Sequence, residues 1–199
     1  MRIQIVAAIA AALTAAISGT ALADGIGVVE TVAAPAYGTA PNVGKVQKHQ
    51  GDAVAHDELL ETSSQGGMQL RLEDGSKLEL GADSRLLVVA YAYQPEADVG
   101  AAVVSLPAGS LHYVTGAMPK GHTMIYTPTA TVVLNGTDVT IGVNAQGYTH
   151  LIVAEGMVSV RSRTTGKEIL YSAGESVDIS PTGVATSAAI ATDAHESAM

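Results

Sequence analysis

Turn signals recur about every ten residues through the C-terminal half of the chain, and no proline interrupts it between Thr129 and Ser180. The short apolar segments between these turns predict strands, because a helix needs a longer uninterrupted segment. The turns are Asn135-Gly136, Asn144 to Gly147, Glu155-Gly156, Thr165-Gly166 and Ala173-Gly174, and the predicted strands are Thr131–Leu134, Val139–Val143, Tyr148–Ala154, Met157–Arg161, Ile169–Tyr171 and Ser176–Ile179. This spacing predicts an all-β single domain of many short strands, as a two-layer β-sandwich or a solenoid-like β-roll.

A β-hairpin is predicted earlier in the chain. Apolar and polar residues alternate over Met68–Glu73, Asp74-Gly75 provides a turn, and the alternation resumes over Lys77–Leu80. Two alternating segments around an Asp-Gly pair are a strong hairpin signal.

Two other segments have less regular patterns. The continuous apolar run Leu86–Tyr91 predicts a strand that is buried on both faces. A short helix over His56–Leu60 is possible, although it has little room to extend.

The first 23 residues have the composition of a cleaved signal peptide. Arg2 precedes an apolar stretch that ends at Ile17, and Ala21-Leu22-Ala23 forms an A-x-A site, which predicts cleavage between Ala23 and Asp24. The stretch is shorter than the ~20 apolar residues that span a membrane. The sequence therefore predicts an exported protein with no transmembrane anchor in its mature form. A bacterial periplasm is the expected compartment, and release to the outside stays open.

The rest of the chain divides by composition. Residues 24–42 contain few large apolar side chains and predict a weakly structured leader. Residues 43–180 form the predicted β domain. Residues 181–199 are rich in Ala, Ser and Thr and predict a flexible tail.

Composition excludes several classes of function. Ten Lys and Arg against 19 Asp and Glu give a net charge of −9, which argues against nucleic acid as a partner because phosphate binding needs clustered cations. The chain has no cysteine, so disulfides, thiolate zinc sites and thiol chemistry are excluded.

A search for catalytic patterns finds no nucleophile elbow, zinc-protease motif or phosphate loop. No catalytic residue, metal site or cofactor is therefore predicted. Two alternatives stay open. One is a carboxylate site built from Asp57, Glu58 and Glu61 in an envelope or polysaccharide-associated enzyme, and the other is a metal site assembled by folding from His112 and His122.

An ordered set of short motifs resembles the FecR domain, the periplasmic part of iron-dicitrate-type sensor proteins. The first half of the pattern ends in L-x-L-x-D-G-S-x-L-x-L and S-R-L, and the second half contains T-P-x-A-x-V, G-T and E-G-x-V. The motif residues are Asp74, Gly75, Ser76, Ser84, Arg85, Thr127, Pro128, Gly136, Thr137, Glu155 and Gly156. Turn and strand-start residues of this kind transfer architecture better than activity.

The resemblance implies a non-catalytic binding or regulatory module of the cell envelope. A signalling system linked to a transporter or a sigma factor is one setting that it implies. Its partner would be an envelope protein, and direct iron binding is not expected. Asn135 stands where many members have Arg, so a charged contact of that Arg is not transferred. A structural surface component is a further alternative.

A partner surface near Tyr91, Tyr93 and Tyr113 is one hypothesis, since tyrosine provides contact area and a polar group. The alternative is that these rings replace the absent Phe and Trp in the core.

Overall fold

The computed structural model describes residues 25–189. The predicted signal peptide, its cleavage site at Ala23 and Asp24, and residues 190–199 of the predicted tail lie outside the described residues. The strands are β1 (Gly27–Val32), β2 (Ala36–Ala40), β3 (Gly44–Gln47), β4 (Ala53–Val54), β5 (Leu59–Thr62), β6 (Met68–Leu72), β7 (Lys77–Leu80), β8 (Arg85–Gln94), β9 (Val99–Val114), β10 (Thr123–Tyr126), β11 (Ala130–Leu134), β12 (Asp138–Val143), β13 (Thr149–Glu155), β14 (Met157–Ser162), β15 (Glu168–Ser172), β16 (Glu175–Ile179) and β17 (Ala185–Ala189), with one 3₁₀ turn at Pro95–Ala97.

The strands form one folded sheet with two layers. The front layer has the order β4-β1-β6-β7-β9-β12-β13-β16-β17, and the back layer has the order β3-β2-β5-β8-β9-β10-β11-β14-β15. Strand β9 belongs to both, because its first part pairs with β8 and β10 and its last part with β7 and β12. The change of layer occurs at Gly109, whose φ of 87° favours glycine.

Each layer buries one face in a common core. Burial alternates along most strands, as in the BeBeB pattern of β6, and the buried apolar residues of both layers form one cluster. Leu70 and Leu111 from the front layer and Leu86 and Val132 from the back layer are fully buried. The predicted all-β class is confirmed, as are the hairpin of β6 and β7 and the six strands predicted between the glycine turns.

The predicted leader over residues 24–42 is wrong, because most of it forms β1 and β2. Few large apolar residues suffice there, since a strand turns only alternate residues inward. Ile26, Val29 and Ala36 are buried, and Gly38 is small because a Cβ would overlap the side chains of Glu58 and Lys48.

Three smaller expectations also fail. The possible helix over His56–Leu60 is a turn followed by β5. The run Leu86–Tyr91 is not buried on both faces, since Val89 is 41% exposed and a bulge near it reverses the alternation. Within the predicted flexible tail, Ala185–Ala189 forms the edge strand β17, because its backbone pairs with β16 although its side chains are exposed.

Candidate interaction surface

The Asp74-Gly75-Ser76 turn joins the two layers through a buried polar network. Asp74 Oδ2 accepts a hydrogen bond from Ser76 Oγ (2.5 Å), and Asp74 Oδ1 accepts one from the Tyr91 hydroxyl (3.0 Å), which comes from the back layer. Ser76 Oγ in turn accepts from the backbone N–H of Gly116 (2.9 Å). A charged acceptor inside the protein needs such donors. Because one of the donors comes from the opposite layer, the motif links the two layers.

The tyrosine hypothesis of a partner surface is not supported by the positions of Tyr91 and Tyr113. Both rings are buried, and Tyr93 is half-buried against the core. Burial raises the pKa of Tyr91, and burial raises the pKa of Tyr113 to about 12. These rings fill the core of a protein that has no Phe or Trp.

Ser84 stabilises β9 at the point where this strand passes from the back layer to the front layer. Its hydroxyl donates to the carbonyl of Ser110 (3.0 Å) and accepts from the N–H of Ser110 (2.8 Å). A Cβ on Gly109 would overlap Ser84, so glycine is required there by both space and φ. The next motif residue, Arg85, instead points outward and contacts Glu61 at 3.2 Å.

Thr127 and Pro128 lead into β11 through a cluster of hydroxyl groups. Thr127 Oγ1 accepts from the N–H of Ala130 (3.0 Å) and from Thr149 Oγ1 (2.8 Å), and Thr149 Oγ1 accepts from Thr129 Oγ1 (2.6 Å). The cluster satisfies polar groups at the start of the strand, where Pro128 provides no donor.

The pairs Gly136-Thr137 and Glu155-Gly156 lie next to each other, the first just before the start of β12 and the second at the end of β13. Gly136 and Gly156 have φ of 70° and 76°, and a Cβ on Gly156 would overlap the carbonyl of Gly136. The N–H of Thr137 donates to Thr115 Oγ1 (3.2 Å). The motif residues therefore lie in four places and, apart from the outward-pointing Arg85, they stabilise turns and strand ends. They do not converge on one pocket.

The structure gives no catalytic or metal-binding geometry to the two sites that the sequence left open, the carboxylate site and the histidine site. Glu58 is 1% exposed and forms an ion pair with Lys48 (2.6 Å), and Glu61 is held by Lys45 (2.6 Å) and Arg85. The hydrogen bond from Lys45 lowers the pKa of Glu61. These carboxylates are engaged with cations and are not a free acid pair.

The histidines are also placed apart. His122 Nδ1 lies 2.7 Å from the carbonyl of Gly100, whereas His112 Nε2 lies 2.6 Å from Asp138 Oδ1. Within residues 25–189, no three His, Asp or Glu side chains are grouped as metal ligands.

The outer face of the front layer is polar. One row across it reads Gln69, Glu79, His112, Thr140, Ile152 and Ser176 in direct register. Ion pairs lie beside this row, such as Arg71 with Glu30 (2.6 Å). This face has the composition of an ordinary solvated surface.

The outer face of the back layer is apolar at its centre, and we call it the back face. One row reads Ala90, Val103, Met124, Val133, Ser159 and Leu170, and the next contains Leu59, Leu87, Ser105, Tyr126 and Thr131. Leu170 is 61% exposed, Met157 42% and Val89 41%. Val103, Met124 and Val133 between them are half-buried. A partly exposed apolar patch with charges at its margin is typical of a protein-binding surface.

The charges lie at the two ends of the back face. Lys45, Glu61 and Arg85 form a cluster at one end, and Arg161 and Glu168 face each other at the other. Among these five residues, three are cations and two are anions. The back face therefore differs from the front face in polarity.

Comparison with known proteins agrees with the motif pattern. Residues 58–159 match the family model described as FecR protein. The chain belongs to the FecR protein family. In this FecR protein the matched region runs from the start of β5 into β14 and contains most of the buried polar clusters.

Two crystal structures of a candidate anti-sigma factor from Parabacteroides distasonis ATCC 8503, at 2.50 and 1.65 Å resolution, have the same fold. Their TM-scores are 0.54 and 0.53, each at 16% identity, and the alignments cover 66% of this chain and 59% of theirs. No curated protein sequence matches the chain. Between residues 25 and 189, no helix has the length and apolar character needed to cross a membrane.

Sequence reasoning missed the back face. Its residues come from β5, β8, β9, β10, β11, β14 and β15, which extend over more than half of the chain. The sequence does contain a pattern that indicates this face, because segments such as Thr131–Leu134 have apolar residues at successive positions. Those positions predict a strand that is apolar on both faces.

Proposed function

We propose that this FecR protein is an exported, non-catalytic regulatory module that relays a signal in the bacterial cell envelope through protein contacts. Membership of the FecR family and the fold shared with a candidate anti-sigma factor support a regulatory role. The sequence of Met1–Ala23 supports export to the periplasm. The function is the binding of a partner protein and not a chemical reaction.

The contrast between the two outer faces carries this proposal. Both faces belong to the same kind of layer and have equivalent positions, yet the front face has polar residues where the back face has Val103, Met124 and Val133. A strand with one face in solvent normally alternates between apolar residues on its buried face and polar residues on its solvated face. The apolar face is therefore the one that would be covered in a complex.

The partner is a protein surface with an apolar centre and acidic groups around it. Apolar burial would provide the affinity, and the cations Lys45, Arg85 and Arg161 would orient the partner. Iron is not the ligand in this proposal, and calorimetry of the purified chain with ferric citrate should give no heat of binding.

The interaction is testable by photo-cross-linking in the organism that carries the gene. We expect p-benzoylphenylalanine at position 124 to form one discrete protein adduct, and the same residue at position 140 on the front face to form none. Adding Arg161→Glu should remove the adduct, because it reverses the charge at the margin.

No adduct from position 124, equal adducts from both positions, or an adduct to lipid alone would contradict the proposal. Circular dichroism of each variant checks that the fold is retained.

A further inference from the structure

The C-terminal end of the fold is built from hairpins that alternate between the layers. β10 and β11 lie in the back layer, β12 and β13 in the front, β14 and β15 in the back, and β16 and β17 in the front. Each new hairpin pairs with the one two steps earlier, as β14 does with β11 and β16 with β13. By this rule the next strand belongs in the back layer beside β15, and none of the described residues occupies that place.

On that side, the backbone groups of β15 pair with none of residues 25–189. The carbonyl of Lys167 accepts from Ser162 and the N–H of Ala173 donates to Gly156, so the odd-numbered residues bond to the β14 side. The N–H and C=O groups of Glu168 and Leu170 therefore point away from β14. They have the geometry of an open sheet edge.

The front layer extends beyond the back layer at this end. Ala185, Ser187 and Ala189 of β17 lie on the same face as the buried Val177 and Ile179, because they are their direct neighbours in register. Yet all five residues of β17 are exposed. A strand added next to β15 would lie over this uncovered inner face, whose small side chains allow a close approach.

The space next to β15 is apolar. Val160, Ile169, Tyr171, Ile179 and Val184 line a groove between the layers, and Val184 is 63% exposed. Two of the other edges are shorter, since β4 has two residues and β3 has four, including a lysine. The edge strand β17 has five residues, as β15 does, but only Ala, Ser and Thr side chains. β15 has no proline and no bulge to block pairing, and Leu170 is 61% exposed in it.

We propose that a second copy of this chain occupies this edge, with β15 of each copy paired antiparallel about a two-fold axis at Leu170. In this register Leu170 faces its own copy, Ile169 faces Tyr171, Glu168 faces Ser172 and Lys167 faces Ala173. No like charges oppose each other, so the strand is complementary to itself. The pairing joins the two back layers into one continuous sheet and does not depend on the partner proposed for the back face.

Single cysteines test the register, because the natural chain has none. Leu170→Cys should form a disulfide-linked dimer under mild oxidation, since directly paired Cα atoms lie at a distance a disulfide can bridge. Glu168→Cys alone should not, because its two copies are about 13 Å apart along the strands. Mixing Glu168→Cys with Ser172→Cys should restore the cross-link.

Light scattering on the unmodified protein should give the mass of a dimer, and Leu170→Lys should give a monomer with an unchanged circular dichroism spectrum. A monomeric natural chain at 100 μM, roughly the upper range in which moderate dimers form, would overturn the proposal. So would cross-linking of Leu170→Cys no faster than that of Thr140→Cys on the front face. Met124→Lys should remain dimeric, which separates this edge from the back-face contact.

Discussion

Asp74 places its carboxylate between the layers, where three donors from its own turn and from Tyr91 satisfy it. Sequence reasoning located Asp74, Gly75 and Ser76 because an Asp-Gly turn is a local signal. It did not find Tyr91 as their partner, since that ring comes from another strand in the opposite layer. The residue types of a motif are readable from sequence, but the long-range contacts that they make are not.

Tyr113 makes the folded state sensitive to alkaline pH. Its pKa is raised by burial from 10.0 to about 12, so between these values the unfolded chain loses the phenolic proton and the folded protein keeps it. Stability supplied by this group is complete below pH 10 and is lost as the pH rises to 12, at about 1.4 kcal/mol per pH unit. Tyr113→Phe should therefore flatten the decline of the free energy of unfolding above pH 10, measured by urea denaturation.

Tyr148→Phe is the control for this prediction, because Tyr148 is 46% exposed. Equal slopes above pH 10 for the natural chain and Tyr113→Phe would show that Tyr113 is not protected from ionisation.

Individual elements differed in how far the sequence predicted them. The hairpin of β6 and β7 was predicted because its strands pair with each other across one turn. Strand β9 was missed because Pro107 and Gly109 interrupt its pattern of apolar residues. A second reason is that it pairs with four different strands, β7, β8, β10 and β12, and not with one hairpin partner alone. Strands β1 and β2 were missed for a related reason, since the strands that pair with them, β6 and β5, come later in the chain.

Two glycine turns separate the effect of space from the effect of φ. Gly156 and Gly166 have φ of 76° and 70°, but a Cβ at Gly156 would overlap the carbonyl of Gly136, whereas a Cβ at Gly166 has nothing within 4 Å. Gly166→Ala should cost about 1 kcal/mol, the price of a left-handed conformation. Gly156→Ala should cost roughly 3 kcal/mol or more, because backbone must also move.

Thermal and urea unfolding of both variants measure these costs. If the two substitutions destabilise equally, the close approach of the β11–β12 and β13–β14 turns is not a determinant of the fold.

At the scale of the whole molecule, the FecR fold presents two outer faces of opposite character around one core. The front face is polar and ion-paired, whereas the back face is apolar with charged residues at its margin. The sequence predicted the class of fold and the family, since both depend on local turns and motif order. It did not predict the back face, because that surface exists only after distant strands are aligned in register.

The most direct test of a regulatory role through the back face is transcriptional. In a strain that lacks the gene, RNA sequencing should show altered expression of a defined gene set, which the natural chain and the front-face variant Thr140→Lys restore. Met124→Lys, folded and present at the same level, should fail to restore it, because a charge at the centre of the back face prevents apolar contact. Unchanged transcription in the deletion strain, or full restoration by Met124→Lys, would contradict the account.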